Sequence, residues 1–389
     1  MQYRSFGKVD YRVSALGFGC MRLPTLGKPE EIDEPQAVEM LRYAIDHGVN
    51  YIDTAYPYHG GNSERVVGKA LQDGYRQRVA LATKMPCWMV QQPADFDRIF
   101  AEQLQRLATD RIEFYLLHNL QAKFWQQMCQ LGALEWLERK RQAGQIRYLG
   151  FSFHDSYDVF QQIIDAFDWD FCQIQYNYVA DEVQAGIKGL KYAAAKNIGV
   201  VIMEPLFGGT LANPPEPIRA ILDQSPLRLR PADLALRWLW NQPEVSVVLS
   251  GMSTLEQVKQ NVESACRSGV GALSAEEHQL IDQLRAKYKQ LNPIPCTQCG
   301  YCMPCPNGVA IPDNFMLYNN GLVLGGSTQM LSRATYYFMP AEKRASQCVA
   351  CRQCEALCPQ GIEISQWMPR VHEELSRPVP GLTDSQSSS

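Results

Sequence analysis

Short apolar runs alternate with longer amphipathic runs along the chain from about Val13 to Ala265. The apolar runs predict eight strands, at Ala15–Phe18, Tyr51–Asp53, Val79–Thr83, Ile112–Leu117, Tyr148–Phe151, Phe171–Gln175, Val200–Met203 and Val245–Leu249. The amphipathic runs predict helices between them, at Gln36–His47, Ser63–Leu71, Phe96–Leu107, Gly132–Gln142, Val183–Lys196, Pro231–Trp240 and Leu255–Cys266. Because a helix between successive strands makes a crossover connection, the strands are predicted to be parallel.

Two α/β architectures fit this pattern, a doubly wound open sheet and a closed (β/α)8 TIM barrel. A dinucleotide-binding open sheet would carry a G-x-G-x-x-G turn after its first strand, and none follows Phe18. The barrel is therefore favoured. Met1–Arg12 predicts a hairpin that closes the barrel floor. The stretch Leu206–Arg230, after the seventh strand, predicts a long unstructured loop on the functional face, where it could act as a lid.

The chain is predicted to contain two domains and a tail. The barrel would occupy residues 1–290 and end with a helix at Ala275–Gln290, before the break Asn292-Pro293-Ile294-Pro295. Residues 291–375 would form a small, mainly α-helical second domain, with helices at Asp313–Leu324 and Gly326–Tyr337. Residues 376–389 end in a polar, serine-rich run and predict a disordered tail.

The composition is that of an ordinary globular protein. Hydrophobic residues make up 46% and charged residues 20% of the 389 positions, and the formal net charge of −4 argues against a nucleic-acid partner. The first residues lack the basic and apolar regions of a secretory signal, and no apolar run is long enough to span a membrane. The sequence therefore predicts a cytoplasmic protein.

Four polar residues stand at or just after predicted strand ends: Asp53, Tyr58, Lys84 and His118. The carboxyl ends of barrel strands form the functional face, so these side chains would converge there. Reduction of a carbonyl needs a proton donor for the oxygen, and a tyrosine can serve if a nearby cation lowers its pKa. Lys84 would be that cation, Asp53 would orient it, and His118 would donate a hydrogen bond to the substrate oxygen. Taken singly, each residue could instead cap a strand or pack in the core.

Residues 1–290 resemble the aldo-keto reductase family at three strand ends. The segment Asp53-Thr54-Ala55-Tyr56-Pro57-Tyr58, followed by Ser63-Glu64 and Gly68, is similar to a motif of that family. Ala82-Thr83-Lys84 and Tyr115-Leu116-Leu117-His118 are similar to its lysine and histidine strands. The resemblance implies that Tyr58 is the general acid of a nicotinamide-dependent carbonyl reductase or alcohol dehydrogenase, and that Asp53, Lys84 and His118 support it.

The resemblance also implies which residues contact the nicotinamide cofactor. They lie on or after the last four strands, at Ser152, Gln173, Pro205, Leu206, Gly251, Met252, Ser253, Gln257 and Asn261. Phe153 stands where the family has an asparagine, and Met203-Glu204 where it has an aromatic residue and a serine. Gly251 and Gln257 occupy positions that are often basic in NADPH users, and neither can pair with a 2′-phosphate. The sequence therefore leaves the choice between NADPH and NADH open.

Eight of the 13 cysteines lie in two runs, each ending in a cysteine followed by proline. The runs are Cys296, Cys299, Cys302 and Cys305, then Cys348, Cys351, Cys354 and Cys358. This spacing predicts two [4Fe–4S] clusters, each held by three cysteines of one run and the last cysteine of the other. Structural zinc sites also use C-x2-C pairs, but they separate the two pairs by a dozen or more residues. Residues 291–375 are therefore predicted to form a ferredoxin-like domain. A barrel followed by such a domain resembles the ferredoxin-fused branch of the aldo-keto reductases.

Three functions fit this combination. The first is a reductase of small carbonyl compounds, or alcohol dehydrogenase, whose clusters exchange electrons with a redox partner or modulate activity. The second is an electron-transfer subunit whose barrel docks a redox partner, and the third is a cofactor-sensing regulatory subunit. Hydride carries two electrons and each cluster passes one, so direct exchange would need an intermediary such as a flavin, for which no motif is visible.

Overall fold

The computed structural model describes residues 1–291, 294–324 and 326–379, with the backbone alone at 323, 324 and 326–328. Eight parallel strands form a closed barrel in the order β10-β3-β4-β5-β6-β7-β8-β9. The strands are β3 (Leu16–Gly19), β4 (Tyr51–Asp53), β5 (Ala80–Pro86), β6 (Ile112–Leu120), β7 (Ile146–Phe153), β8 (Phe171–Gln175), β9 (Gly199–Met203) and β10 (Val247–Gly251). The predicted (β/α)8 barrel is confirmed, and each predicted strand corresponds to one barrel strand.

Seven helices around the barrel correspond to the seven predicted there. They are α1 (Glu34–Asp46), α2 (Asn62–Ala70), α3 (Ala94–Leu107), α5 (Ala133–Gln142), α7 (Gly186–Ala195), α9 (Pro231–Trp240) and α10 (Leu255–Cys266). Two more, α4 (Ala122–Gln130) and α6 (Tyr157–Ala166), were not predicted.

The prediction of an unstructured loop at Leu206–Arg230 was wrong, because this segment contains helix α8 (Glu216–Gln224). Pro217 lies in its first turn, where a proline is tolerated because the N–H there has no helical partner. Ile218 and Leu222, one turn apart, are both buried and give the helix an apolar face.

A hairpin of β1 (Tyr3–Phe6) and β2 (Val9–Ser14) forms a separate two-stranded antiparallel sheet, as predicted. Phe6 is fully buried and stacks on Phe114 of β6 with ring centroids 5.1 Å apart. A Cβ atom at Gly199, the first residue of β9, would lie 2.1 Å from the Phe6 ring. Only glycine therefore fits at the start of β9, and the hairpin closes the amino-terminal end of the barrel.

The chain divides into two compact units, one of Met1–Leu206 with Ala232–Ser274 and one of Phe207–Pro231 with the chain from Ala275 onward. The first unit contains the barrel. The second contains α8, α11 (Ala275–Leu291), α12 (Ile311–Leu324), α13 (Gly326–Phe338) and α14 (Ile364–Leu375). A core in this unit joins apolar residues of α12, α13 and α14 to the cysteine loops.

The mainly helical character predicted for the C-terminal region is confirmed, although α14 was not predicted. The break expected at Asn292-Pro293, and the predicted tail from residue 380 onward, lie outside the described residues. None of the described helices is both long enough and apolar enough to cross a membrane.

Candidate functional site

A buried ion pair joins Lys84 of β5 to Asp53 at the end of β4. Asp53 pairs with Ala82 across the two strands, and Lys84 lies two residues further on, so both side chains are on one face. The Lys84 Nζ donates to Asp53 Oδ1 at 2.6 Å and to the Thr54 carbonyl at 2.8 Å. Burial raises the pKa of Asp53, and the contact with Lys84 opposes that rise. Two buried charges are thus held against each other at the barrel mouth.

Tyr58 begins a short helical turn, Tyr58–Gly61, that follows β4. The Lys84 Nζ lies 5.0 Å from its ring centre, and the His118 ring lies edge-on with centroids 5.9 Å apart. The sequence predicts that Lys84 lowers the pKa of Tyr58, whereas the net shift in the structure is upward. Burial first, and then the charge of Asp53, raise the pKa of Tyr58 well above its usual range. Tyr58 therefore carries its proton at neutral pH.

His118 lies near the end of β6, where it pairs across the strands with Pro86. Burial, together with the positive charge of Lys84, lowers the pKa of His118 well below its usual 6.5. The imidazole is therefore neutral at physiological pH. The Trp88 ring lies 5.1 Å from it and 6.5 Å from Phe124, so aromatic side chains form one side of the site. Trp88 lies in the short helical turn Cys87–Met89 that directly follows β5.

A buried polar network behind the barrel wall holds the strand that carries Lys84. The Gln103 side-chain amide donates to the Lys84 carbonyl at 2.9 Å and to Glu64 Oε1 at 3.0 Å. Thr83 Oγ1 also donates to Glu64, at 2.7 Å, and Tyr115 donates to Gln103 at 2.6 Å. Burial raises the pKa of Glu64, which these bonds oppose. Such a network fixes the backbone at Lys84, because breaking it would leave buried polar groups unsatisfied.

Two buried amide oxygens near the barrel mouth lack hydrogen-bond partners within the described part of the chain. One is Oε1 of Gln173, on β8, and the other is Oδ1 of Asn119, directly after His118. The Asn119 backbone N–H donates to Ser152 Oγ at 2.8 Å, which places Asn119 beside another predicted contact. A nicotinamide carboxamide has an NH2 group that could satisfy such oxygens. Asn119 was not singled out from the sequence.

The loop with the positions that are often basic in NADPH users starts at the end of β10. Gly251, Ser253 and Gln257 are exposed, whereas the Met252 side chain is fully buried. The Ser253 backbone N–H donates to Gln257 Oε1 at 2.8 Å, so this amide helps to cap α10. The buried Asn261 donates to Ser250 Oγ at 3.0 Å.

Arg22, after β3, is a cation that the sequence analysis missed. A Cβ atom at Gly251 would lie 2.9 Å from Arg22 Cγ, so the arginine stem covers this glycine. Its guanidinium has no carboxylate within 4.0 Å among the described residues, and its charge lowers the pKa of Tyr58, opposing burial. Arg22 is exposed, and it places a positive charge close to both Tyr58 and the loop after β10.

Pro205 and Leu206 follow β9, with Pro205 buried and Leu206 half-buried. Glu204, just before them, has a left-handed backbone with φ of 54°, and its carbonyl accepts from Asn177 Nδ2 at 3.0 Å. Its charge contributes to the raised pKa of Tyr58. Glu204 is therefore close enough to Tyr58 for its charge to act on the tyrosine.

The eight clustered cysteines line two separate cavities of the second unit. Cys296, Cys299, Cys302 and Cys358 line one cavity. Cys305, Cys348, Cys351 and Cys354 line the other. Each set takes three cysteines from one run and the last from the other, which is the grouping expected from the spacing. Burial, with the nearby Cys299, Cys296 and Cys358, raises the pKa of Cys302 to about 12.

Comparisons with known proteins match both parts of the chain. The profile of the Aldo/keto reductase family matches residues 15–286, and that of a 4Fe-4S dicluster domain matches residues 295–363. L-galactose dehydrogenase from Arabidopsis thaliana is 27% identical over 285 residues, which are 67% of this chain and 87% of the plant protein.

Solved structures of aldo-keto reductases are also similar to most of the chain. An aldo-keto reductase from Bacillus halodurans in its holo form is 28% identical, with a TM-score of 0.62 over 73% of this chain and 96% of that one. An aldo/keto reductase from Klebsiella pneumoniae, in complex with NADP and acetate, is also 28% identical, with a TM-score of 0.59 over 73% and 95%.

Proposed function

Because the chain belongs to the aldo/keto reductase family, we propose that it is a nicotinamide-dependent oxidoreductase that reduces small carbonyl compounds or oxidises the corresponding alcohols. The observation that carries the proposal is the buried Asp53–Lys84 pair beneath Tyr58, with the neutral His118 beside the tyrosine ring. These groups supply a proton, a positive charge and a hydrogen-bond donor around one point, which a carbonyl oxygen would occupy.

Each residue has one role in this proposal. Tyr58 keeps its proton at neutral pH and gives it to the carbonyl oxygen as negative charge develops there. Lys84 stabilises the tyrosinate that remains, because its ammonium lies 5.0 Å from the ring centre. Asp53 is a positioning residue that holds the ammonium. His118, as a neutral imidazole, donates a hydrogen bond that orients the oxygen, and a bound reduced nicotinamide would supply the hydride.

The residues around Tyr58 fit a nicotinamide dinucleotide. We propose that the carboxamide is bound by Gln173 and Asn119, whose buried oxygens have no partner in the described chain, and by Ser152. Arg22 would supply the phosphate-binding cation that is missing at Gly251 and Gln257. NADP, as bound by the Klebsiella pneumoniae relative, is one candidate cofactor, and NADH is the other.

We further propose that the two cysteine sets hold two [4Fe–4S] clusters. The match to a dicluster domain and the two cysteine-lined cavities support this assignment. Within the described residues, no three His, Cys, Asp or Glu side chains converge as the ligands of a single metal ion would. Thiolates spread around a cavity suit a cubane cluster better than mononuclear zinc.

An electron-transfer role is the second candidate function, and the second cysteine set favours it. Cys351 of that set is exposed to solvent, so a cluster held there would be accessible to another redox protein. In this case the barrel would bind cofactor without turning over carbonyl compounds.

The Tyr58→Phe variant distinguishes the two functions. We expect it to bind reduced nicotinamide as the wild type does, measured by fluorescence titration, and to lose carbonyl-dependent cofactor oxidation by two to four orders of magnitude, because its proton donor is gone. Lys188→Met, a change on the exposed part of α7 away from the site, is the control. Equal turnover by Tyr58→Phe and wild type would refute the assigned acid.

A further inference from the structure

The two cysteine-rich loops of the second unit have the same backbone conformation. The residue before the second cysteine of each loop is left-handed, with φ of 56° at Gln298 and 54° at Ala350. The residue after that cysteine is left-handed too, with φ of 78° at Gly300 and 59° at Arg352. The loops are therefore structural equivalents, and a difference in what covers them indicates a difference in what they do.

The first loop is covered by the chain itself. Thr297, between Cys296 and Cys299, is only 3% exposed. A Cβ atom at Gly208 would lie 2.6 Å from the Thr297 carbonyl oxygen, so the two backbones are in direct contact. Gly208 lies two residues after Leu206, one of the proposed cofactor contacts. The first loop is thus packed against the segment that continues the cofactor-binding stretch.

The second loop is open to solvent. Val349 occupies the place of Thr297 but is 65% exposed, and Cys351 is exposed where its equivalent Cys299 is half-buried. Arg352 is exposed as well, and no carboxylate lies within 4.0 Å of its guanidinium in the described chain. An apolar side chain, an unpaired cation and a cluster ligand therefore share one exposed loop.

We propose that this second loop, Cys348–Cys354, is the docking surface for a small acidic protein that carries one electron. The inference rests on the proposed two-cluster assignment. The exposed Cys351 brings the metal centre to the surface, Val349 offers an apolar contact that loses little solvation, and Arg352 complements a negative surface. Electron-transfer contacts are small and rely on charge complementarity for fast encounter, so one loop suffices as their centre.

The redox step at this surface involves a single electron. The reduced carrier gives one electron to the cluster held by Cys305, Cys348, Cys351 and Cys354. The carrier is oxidised by one electron, the cluster is reduced by one, and no covalent bond forms or breaks. The covered first loop takes no part in docking.

A matched pair of substitutions tests the proposal. Ala350→Glu and Gln298→Glu each place a carboxylate at an exposed, left-handed position before the second cysteine of a loop. An oxidised plant-type [2Fe–2S] ferredoxin, which is acidic, serves as the probe, and its binding to the iron-loaded protein is measured by calorimetry at low and high salt. We expect Ala350→Glu and Arg352→Ala to weaken binding about five- to tenfold at low salt, and Gln298→Glu to change it less than twofold.

Other results would overturn the proposal. They are absence of ferredoxin binding to the wild type, equal weakening by Gln298→Glu and Ala350→Glu, or equally tight binding of a basic c-type cytochrome. Iron and acid-labile sulfide are measured on every variant beforehand. Loss of iron from the wild type would contradict the two-cluster assignment itself, whereas full iron without ferredoxin binding would contradict only the docking surface.

Discussion

The ion pair between Lys84 and Asp53 offers a quantitative test of the barrel site. Both side chains are almost fully buried, at 1% and 3% exposure, and their charged atoms are 2.6 Å apart. Lys84→Met keeps the length of the side chain and removes the charge. The Asp53 carboxylate is then left in an apolar environment without its partner.

The expected cost is about 3–5 kcal/mol of unfolding free energy, the range typical for breaking a buried pair by removing one partner. Part of this cost is avoided at low pH. Burial already raises the pKa of Asp53, and loss of Lys84 removes the interaction that opposes the rise. In the variant the folded chain then binds a proton that the unfolded chain, with a carboxyl pKa near 3.9, has released. Stability contributed by that proton is present at low pH and lost as pH rises, so the deficit of Lys84→Met should be larger at pH 8 than at pH 5.

The assay is urea-induced unfolding of wild type, Lys84→Met, Asp53→Asn and the double variant at both pH values, followed by barrel tryptophan fluorescence. We expect the double variant to be more stable than the sum of the single losses predicts, by at least about 2 kcal/mol, because it leaves no unpaired charge. Single losses below about 1 kcal/mol, or additive losses, would refute the claim that the pair is buried and coupled.

Three further predictions concern Gly208 beside the first cysteine loop, the cation Arg22 and the buried His154. Gly208→Ala should make cluster absorbance disappear at a lower temperature than Gly209→Ala does, because both glycines are left-handed but only Gly208 has the Thr297 backbone against it. Arg22→Ala should weaken binding of reduced nicotinamide about tenfold or more in fluorescence titrations, with partial recovery in Arg22→Lys, and unchanged affinity would exclude the arginine from the cofactor site. Burial lowers the pKa of His154 to about 4, so between pH 6.5 and 4 the unfolded chain binds a proton that the folded chain does not. As pH falls through this window, wild type should lose up to about 3 kcal/mol more unfolding free energy than His154→Gln, measured by thermal melts at several pH values. The same loss of stability with pH in both proteins would contradict this.

The barrel could be predicted from the sequence because its strands are buried on both faces. Every residue of β4 and β5 is buried, and the short apolar runs within such strands stand out between amphipathic helices. The predicted end of β6 at Leu117 was too early, because His118 interrupts the apolar run although the ladder continues to Leu120. A polar site residue at a strand end therefore interrupts the apolar run from which the length of the strand is predicted.

The helices that were missed have different causes. In α6, Phe160, Ile163 and Ile164 are buried with clear helical spacing, so the signal was present in the sequence. Helix α4 begins after Gln121, which makes no side-chain capping bond, and it lacks a start signal. The prolines around α8 indicated a loop, although Pro217 lies in the first turn and is compatible with a helix.

Arg22 and Asn119 could not be recognised because their roles depend on contacts distant in sequence. Arg22 matters through its packing on Gly251, which lies on the neighbouring strand but more than half the chain away. Asn119 matters because its neighbour Ser152 lies on the next strand and its side-chain oxygen has no partner in the described chain. The grouping of cysteines was predictable, since it follows from spacing within each run. The difference in exposure between the two loops was not.

The most direct test of the proposed chemistry follows the hydride itself. Reduced nicotinamide deuterated at its transferable position would be incubated under anaerobic conditions with the iron-loaded protein and an aromatic aldehyde, chosen for the ring-lined side of the site. Mass spectrometry of the alcohol then locates the label. The account predicts one deuterium on the carbinol carbon with wild type and no alcohol with Tyr58→Phe. Alcohol that carries only solvent hydrogen at that carbon, or equal product from Tyr58→Phe, would contradict direct hydride transfer assisted by Tyr58.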